Sequence, residues 1–147
     1  MLTQIDHVGI AVSDLDEEVE RYRRTFGLEP THRARMRDQG VEEVLFAVGE
    51  SYVQLLGALG SDTPVGRFLD KRGPGVHHLG YRVANVTEAL GRLRAEGVAL
   101  IDETPRAGSR GTTIAFVHPA SMGGVLVELV QEPSPTTGSP TTRAAQT

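Results

Sequence analysis

An internal repeat constrains the fold of this chain more than any other feature of its sequence. HVGIAVSDLDEEVERYRRTFG (His7–Gly27) lies over HLGYRVANVTEALGRLRAEG (His78–Gly97), with His7 on His78, Gly9 on Gly80, Val12 on Val83 and Glu17 on Glu88 at an offset of 71 residues. Each copy begins with alternating apolar residues, the period of a strand. Each then changes to helical spacing, through Leu15, Val19, Tyr22 and Phe26 in the first and Val86, Leu90 and Leu93 in the second. Asp14 with Glu17, and Asn85 with Glu88, form helix-start capping boxes, and Gly27 and Gly97 stand where the helices should stop. The likeness continues into FAVG (Phe46–Gly49) against FVHP (Phe116–Pro119), and VQLL (Val53–Leu56) against VELV (Val127–Val130).

The pattern predicts β-α-β-β-β twice, with strands near 4–12, 30–36, 43–48 and 51–56, then 77–83, 98–102, 112–117 and 124–130. TPVGRFLDKRG (Thr63–Gly73) reads as a linker helix with Thr63 as its cap and Pro64 in its first turn. The expected class is α+β, a single domain over 1–131 made of module one (about 4–57), the linker helix (about 63–73) and module two (about 76–131). Residues 132–147 are rich in Pro, Ser and Thr with no large apolar side chain, and are expected to form a flexible tail outside the fold. The absence of cysteine confines any metal site to nitrogen and oxygen ligands. A net charge of −4 with scattered Lys and Arg argues against nucleic acid. No apolar stretch is long enough to span a bilayer and no export signal is visible, so a cytoplasmic protein is expected.

Strand alternation sorts the polar residues by face. Val8, Ile10 and Val12 form the covered face of the first strand, leaving His7, Gly9 and Ala11 opposite. In the second copy His78 shares a face with Gly80, whereas His77 falls with Leu79, Tyr81 and Val83. Gln54 stands opposite Val53 and Leu55, and Glu128 opposite Val127 and Leu129. Two related halves packed about a pseudo-twofold axis would bring His7, Gln54, His78 and Glu128 together. This donor set suits a divalent ion (Co, Mn, Ni, Zn, Fe or Mg) and leaves coordination positions open for a substrate. Gly9 and Gly80 either leave room for that substrate or allow tight sheet packing. Ala107–Gly111 (AGSRG) offers backbone N–H groups and enough freedom to close over a ligand, and His32, next to Arg33 and Arg35 on an edge strand, reads as surface.

At these residues the chain resembles the vicinal oxygen chelate superfamily, and within it the methylmalonyl-CoA epimerase family. The resemblance is carried by IDHVGIAV, DQGVEEVLF, YVQLL, TPVGRFLDKRGPGVHHLGYRV and HPASMGGVLVELVQ, covering nearly all of Ile5–Gln131. It implies a U-shaped mixed sheet around a metal-binding cleft. It implies metal ligands at His7, Gln54, His78 and Glu128, and an acid–base pair formed by Glu43 and Glu128. Phase agrees with Glu43 rather than Glu42, which shares its face with Val44, Phe46 and Val48. The implied activity is a metal-dependent isomerase that epimerises an acyl-CoA, with a homodimer as the expected assembly. Two departures bear on the coenzyme A portion: Ala120 stands where the family has Lys after HP, and Gly57-Ala58 follows YVQLL. A glyoxalase I-like isomerase, or a non-catalytic small-molecule-binding protein of the same fold, are the alternatives.

Overall fold

The computed structural model describes residues 1–134, and the part of the expected tail beyond Ser134 lies outside the described residues. Eight strands form one mixed sheet: β1 (Leu2–Val12), β2 (His32–Met36), β3 (Val41–Val48), β4 (Ser51–Ala58), β5 (Gly75–Val83), β6 (Arg106–Ala107), β7 (Thr113–Val117) and β8 (Val127–Gln131). Their spatial order is β2-β3-β4-β1-β5-β8-β7-β6. The repeat is visible in that order, since β1 runs parallel to β4 and β5 parallel to β8, and the halves meet where β1 and β5 pair antiparallel.

Each half covers its outer face with its own helix. On α1 (Leu15–Phe26), Val19 packs with Val44, Phe46 and Leu55; on α3 (Val86–Ala95), Val86, Ala89 and Leu90 pack with Ala115, Val117 and Leu129. Asp14 and Asn85 cap these helices by accepting from the N–H groups of Glu17 and Glu88. The linker helix α2 (Pro64–Arg72), capped by Thr63, sits on the inner side, where Val65 packs with Ala11, Val41 and Leu56. The inner face of the sheet is thus plugged by apolar residues at one end and polar at its middle.

One expected strand is absent. Val98–Asp102 makes only an isolated bridge, Leu100 with Val117, and the edge strand is instead Arg106–Ala107. The Asp102 carboxylate accepts from the Phe116 N–H, taking the donor that a longer ladder would use, and Pro105 has no N–H to continue one. Glu132, which composition assigned to the tail, pairs with Arg82 at 2.9 Å and Arg110 at 3.3 Å.

Candidate functional site

Two rows of side chains cross the middle of the inner face. Register places Gly9 between Gln54 on β4 and His78 on β5, and Gly80 between His7 on β1 and Glu128 on β8. Each glycine lies under the imidazole of the opposite half: a Cβ on Gly9 would meet the His78 ring, and one on Gly80 the His7 ring. The two glycines therefore make room for the histidines rather than for a substrate. The rings stand edge to face, 82° apart, with their Nε2 atoms separated by 2.9 Å. Glu128 Oε2 lies 3.2 Å from His78 Nε2 and 3.8 Å from His7 Nε2.

Two β-bulges set the backing of these rings. The pairing of β1 with β5 skips Asp6 and His77, which occupy equivalent places in the repeat, each one residue before the histidine of its half. A bulge re-aims the extra residue, and so His77 faces its neighbour instead of the opposite side of the sheet as alternation predicts. Asp6 Oδ2 accepts from His7 Nδ1 at 2.8 Å, while Arg82 donates to Asp6 Oδ1 at 2.7 and 3.0 Å. The His77 and His78 Nδ1 atoms are 3.0 Å apart.

The charges are tightly interdependent. Burial pulls the His7 imidazole down, but its bond to Asp6 and the fields of Glu128, Asp6 and Glu43 outweigh that and leave its pKa raised. Burial pushes Glu128 up, yet the hydrogen bond with His78 and the neighbouring imidazoles hold it below the usual carboxylate range. Asp6 is lowered in the same way by His7 and Arg82 against its burial. His77 moves the other way: burial, reinforced by His78 and opposed in part by Glu128, takes it to about 4. A neutral His77 can accept a hydrogen bond from His78 Nδ1.

Gln54 and Glu43 adjoin this cluster. Gln54 Nε2 donates to Glu43 Oε2 at 2.6 Å, and that bond turns the other end of the amide away. Gln54 Oε1 is buried without a hydrogen-bond partner among the described residues, as is Glu43 Oε1. Glu42 points outward to Arg33 and Arg35, as phase requires. A cavity of about 230 Å³, lined by Gln54, His77, His78, Arg106, Phe116 and Glu128 among others, opens onto the cluster. Behind it Ser109–Gly111 forms a single turn, with Arg110 at φ 56° and its guanidinium 4.4 Å over the Tyr52 ring. That loop is a wall tying one half to the other.

The donor set fits a cation. Donor atoms of His7, His78 and Glu128 lie within 4.8 Å of one another, all three residues are buried, and the cluster can hold a metal ion. Two ligand atoms each about 2.1 Å from one ion at right angles are about 3.0 Å apart, close to the separations found here. Gln54, whose Oε1 is unpartnered, lines the same cavity as His78 and Glu128 and offers a neutral oxygen there.

Residues 6–116 match the family described as Glyoxalase/Bleomycin resistance protein/Dioxygenase superfamily. The chain belongs to that superfamily. Several of its relatives there are epimerases. The structure of a methylmalonyl-CoA epimerase in complex with methylmalonyl-CoA and an ammonium ion superposes with a TM-score of 0.89 at 42% identity, covering 91% of this chain and 97% of the other. The methylmalonyl-CoA epimerase of Mycobacterium tuberculosis gives 0.87 at 43%, covering 91% and 90%. The ethylmalonyl-CoA/methylmalonyl-CoA epimerase of Cereibacter sphaeroides is 34% identical over 89% of this chain and 99% of its own length. The curled sheet and three helices are those of the superfamily, as the resemblance implied.

Sequence reasoning missed several neighbours of the cluster. His32, read as surface, is only partly exposed: its Nε2 is buried and lies 3.4 Å from Glu43 Oε1. Asp6 and His77 were hidden by bulges. Arg106 and Phe116, whose guanidinium and ring stack at 5.4 Å beside the cavity, sit on a segment whose register depended on the missing strand. The one available signal was phase on β2, since Glu43 opposes Ala34 and so places His32 on its own side.

Proposed function

We propose that this chain catalyses metal-dependent epimerisation at C2 of methylmalonyl-CoA or a close 2-alkylmalonyl-CoA. The observation that carries the reading is the meeting of His7 and His78, one from each half, with Glu128 at one point, beside a cavity that Gln54 also lines with its amide held against the Glu43 carboxylate. The epimerases named above support the same substrate class.

The reaction removes the proton between a thioester and a carboxylate and returns one to the opposite face. Glu43 and Glu128, contributed by different halves, act as the two proton-transfer groups, exchanging the roles of base and acid with direction. Glu43 Oε1 carries the free lone pairs, while Gln54 Nε2 fixes the carboxylate through Oε2. His7, Gln54, His78 and Glu128 would hold a divalent ion, which when bound would supply Lewis acidity against the negative charge that develops on the thioester oxygen. Asp6 and Arg82 hold the His7 ring, and His77 holds His78. Leu56, Val65 and Ile101 give the cavity an apolar wall against the alkyl group, and the Arg106 guanidinium lines the same cavity as a counter-charge for an acid group. Past Pro64, His77 and Leu126 the cleft continues into a second cavity of about 500 Å³ bearing Arg67, Lys71 and Arg72, cations suited to the phosphates of coenzyme A.

The test is proton exchange. Methylmalonyl-CoA in deuterated water with the metal-loaded protein should take up deuterium at C2 as the two epimers interconvert, and Glu43→Gln should slow the interconversion by about 10²–10⁴-fold. No uptake, with turnover of a glutathione hemithioacetal instead, would favour a glyoxalase I-like isomerase.

A further inference from the structure

A two-base epimerase ends each turnover with its bases in the wrong protonation states for the next. The group that took a proton must lose it, and the group that gave one must regain it. For Glu43 this is a problem of access, because only 1% of the residue is exposed and one of its oxygens is occupied by Gln54. A bound substrate would shut off what water remains. A side chain that joins this carboxylate to solvent would remove that obstacle.

His32 is placed for it. It stands opposite Leu45 in the pairing of β2 with β3, so it rises on the same face as Glu43, two residues along. Its Nε2 and Glu43 Oε1 face each other at 3.4 Å, and each is buried with no other hydrogen-bond partner among the described residues. Two such polar atoms left facing one another are costly unless they exchange a proton or bond during function. The rest of the ring is not sealed: 29% of the His32 side chain is exposed, on the strand that forms the outer edge of the sheet. One end of the imidazole therefore touches the buried base and the other end reaches water.

We propose that His32 relays protons between Glu43 and solvent, resetting the base between turnovers; the inference rests on the epimerase reading. After Glu43 has taken the C2 proton, its Oε1–H passes the proton to His32 Nε2, giving a carboxylate beside an imidazolium. The imidazolium then loses one proton to water or buffer and returns to the neutral ring. In the opposite direction the ring takes a proton from solvent and delivers one to Glu43. His32 does not touch the reacting carbon. It acts through Glu43 and is a positioning and relay residue.

The experiment compares wild type, Glu43→Gln, His32→Gln and His32→Ala in steady-state epimerisation of methylmalonyl-CoA by the metal-loaded protein, with and without added imidazole. Gln keeps a hydrogen-bonding group near Glu43 but cannot carry a proton; Ala leaves a hole that free imidazole can enter. Both His32 variants should lose about tenfold or more in kcat with KM within about twofold of wild type, the range of a lost proton-transfer group. Imidazole should restore His32→Ala and leave His32→Gln unchanged. Unchanged thermal denaturation of His32→Gln separates this from misfolding. Wild-type kcat in His32→Gln, or a slow His32→Ala that imidazole does not rescue, overturns the relay while leaving the epimerase reading intact. No turnover by wild type overturns both.

Discussion

Replacing Gly80 by alanine should dismantle the cation site without touching any of its donors. A Cβ on Gly80 would lie 2.8 Å from His7 Nε2, and nearer still to Cε1 and Nδ1, where ordinary contact needs at least 3.4 Å. The shortfall at Nε2 alone is 0.6 Å. The ring cannot tilt freely to relieve it, because Asp6 grips Nδ1 at 2.8 Å and Arg82 grips Asp6 in turn. Metal–ligand distances tolerate only about 0.2 Å, so a displacement of this size removes His7 as a donor. Overpacking at such a site costs about 1–3 kcal/mol of stability, which a domain of this size survives. Metal affinity should fall by about 100-fold or more, beyond the about 10–100-fold typical of losing a supporting contact. Calorimetric titration of the metal-stripped variant with cobalt or zinc, beside circular dichroism, reads both effects. A folded Gly80→Ala protein binding metal as tightly as wild type would refute the proposition that His7 stacks over Gly80 in the working site.

Gly9→Ala should act on His78 in the same way, with a similar loss of metal affinity in the same titration. Asp6→Asn should weaken metal binding by about 10–100-fold, because an amide neither sharpens the basicity of His7 nor holds Arg82 as an ion pair. Glu43→Gln should lower kcat by about 10²–10⁴-fold while metal still binds, measured by epimerisation and by titration on one sample. His77 gives a pH signature. Its pKa is lowered from 6.5 unfolded to about 4 folded, so the unfolded chain binds more protons between those values. Its contribution is full above pH 6.5 and lost as pH falls towards 4. Between pH 7 and pH 5 that is about 2 kcal/mol, and urea unfolding of metal-free His77→Asn should lose correspondingly less stability than wild type over that interval.

Most of the scaffold was legible because both halves state it. The strand-to-helix change of period, the Asp14 and Asn85 caps and the Thr63-Pro64 helix start are local signals, and each appears where sequence placed it. Phase put His7, Gln54, His78 and Glu128 on the inner face because the ladders of β1 with β4 and of β5 with β8 run without a slip beyond each histidine. Where alternation breaks, sequence fails. Nothing in IDHVGIAV or GVHHLGYRV marks the bulges at Asp6 and His77, since a bulge is decided by the partner strand. The same holds for His32, whose facing depends on the register of β2 against β3, and for Arg106, whose edge strand displaced the one expected at 98–102. Gly9 and Gly80 could be read only as open space or close contact until the opposite histidine was seen to fill it.

The central claim is that two halves of one chain build a single cation site at which an acyl-CoA α-proton is exchanged. Titrating the metal-stripped protein with a divalent ion while following methylmalonyl-CoA epimerisation tests it most directly. The rate should rise from near zero to a plateau at one equivalent per chain, and His7→Ala should not respond. Full activity in the stripped protein, or activity that His7→Ala shares, would contradict the account.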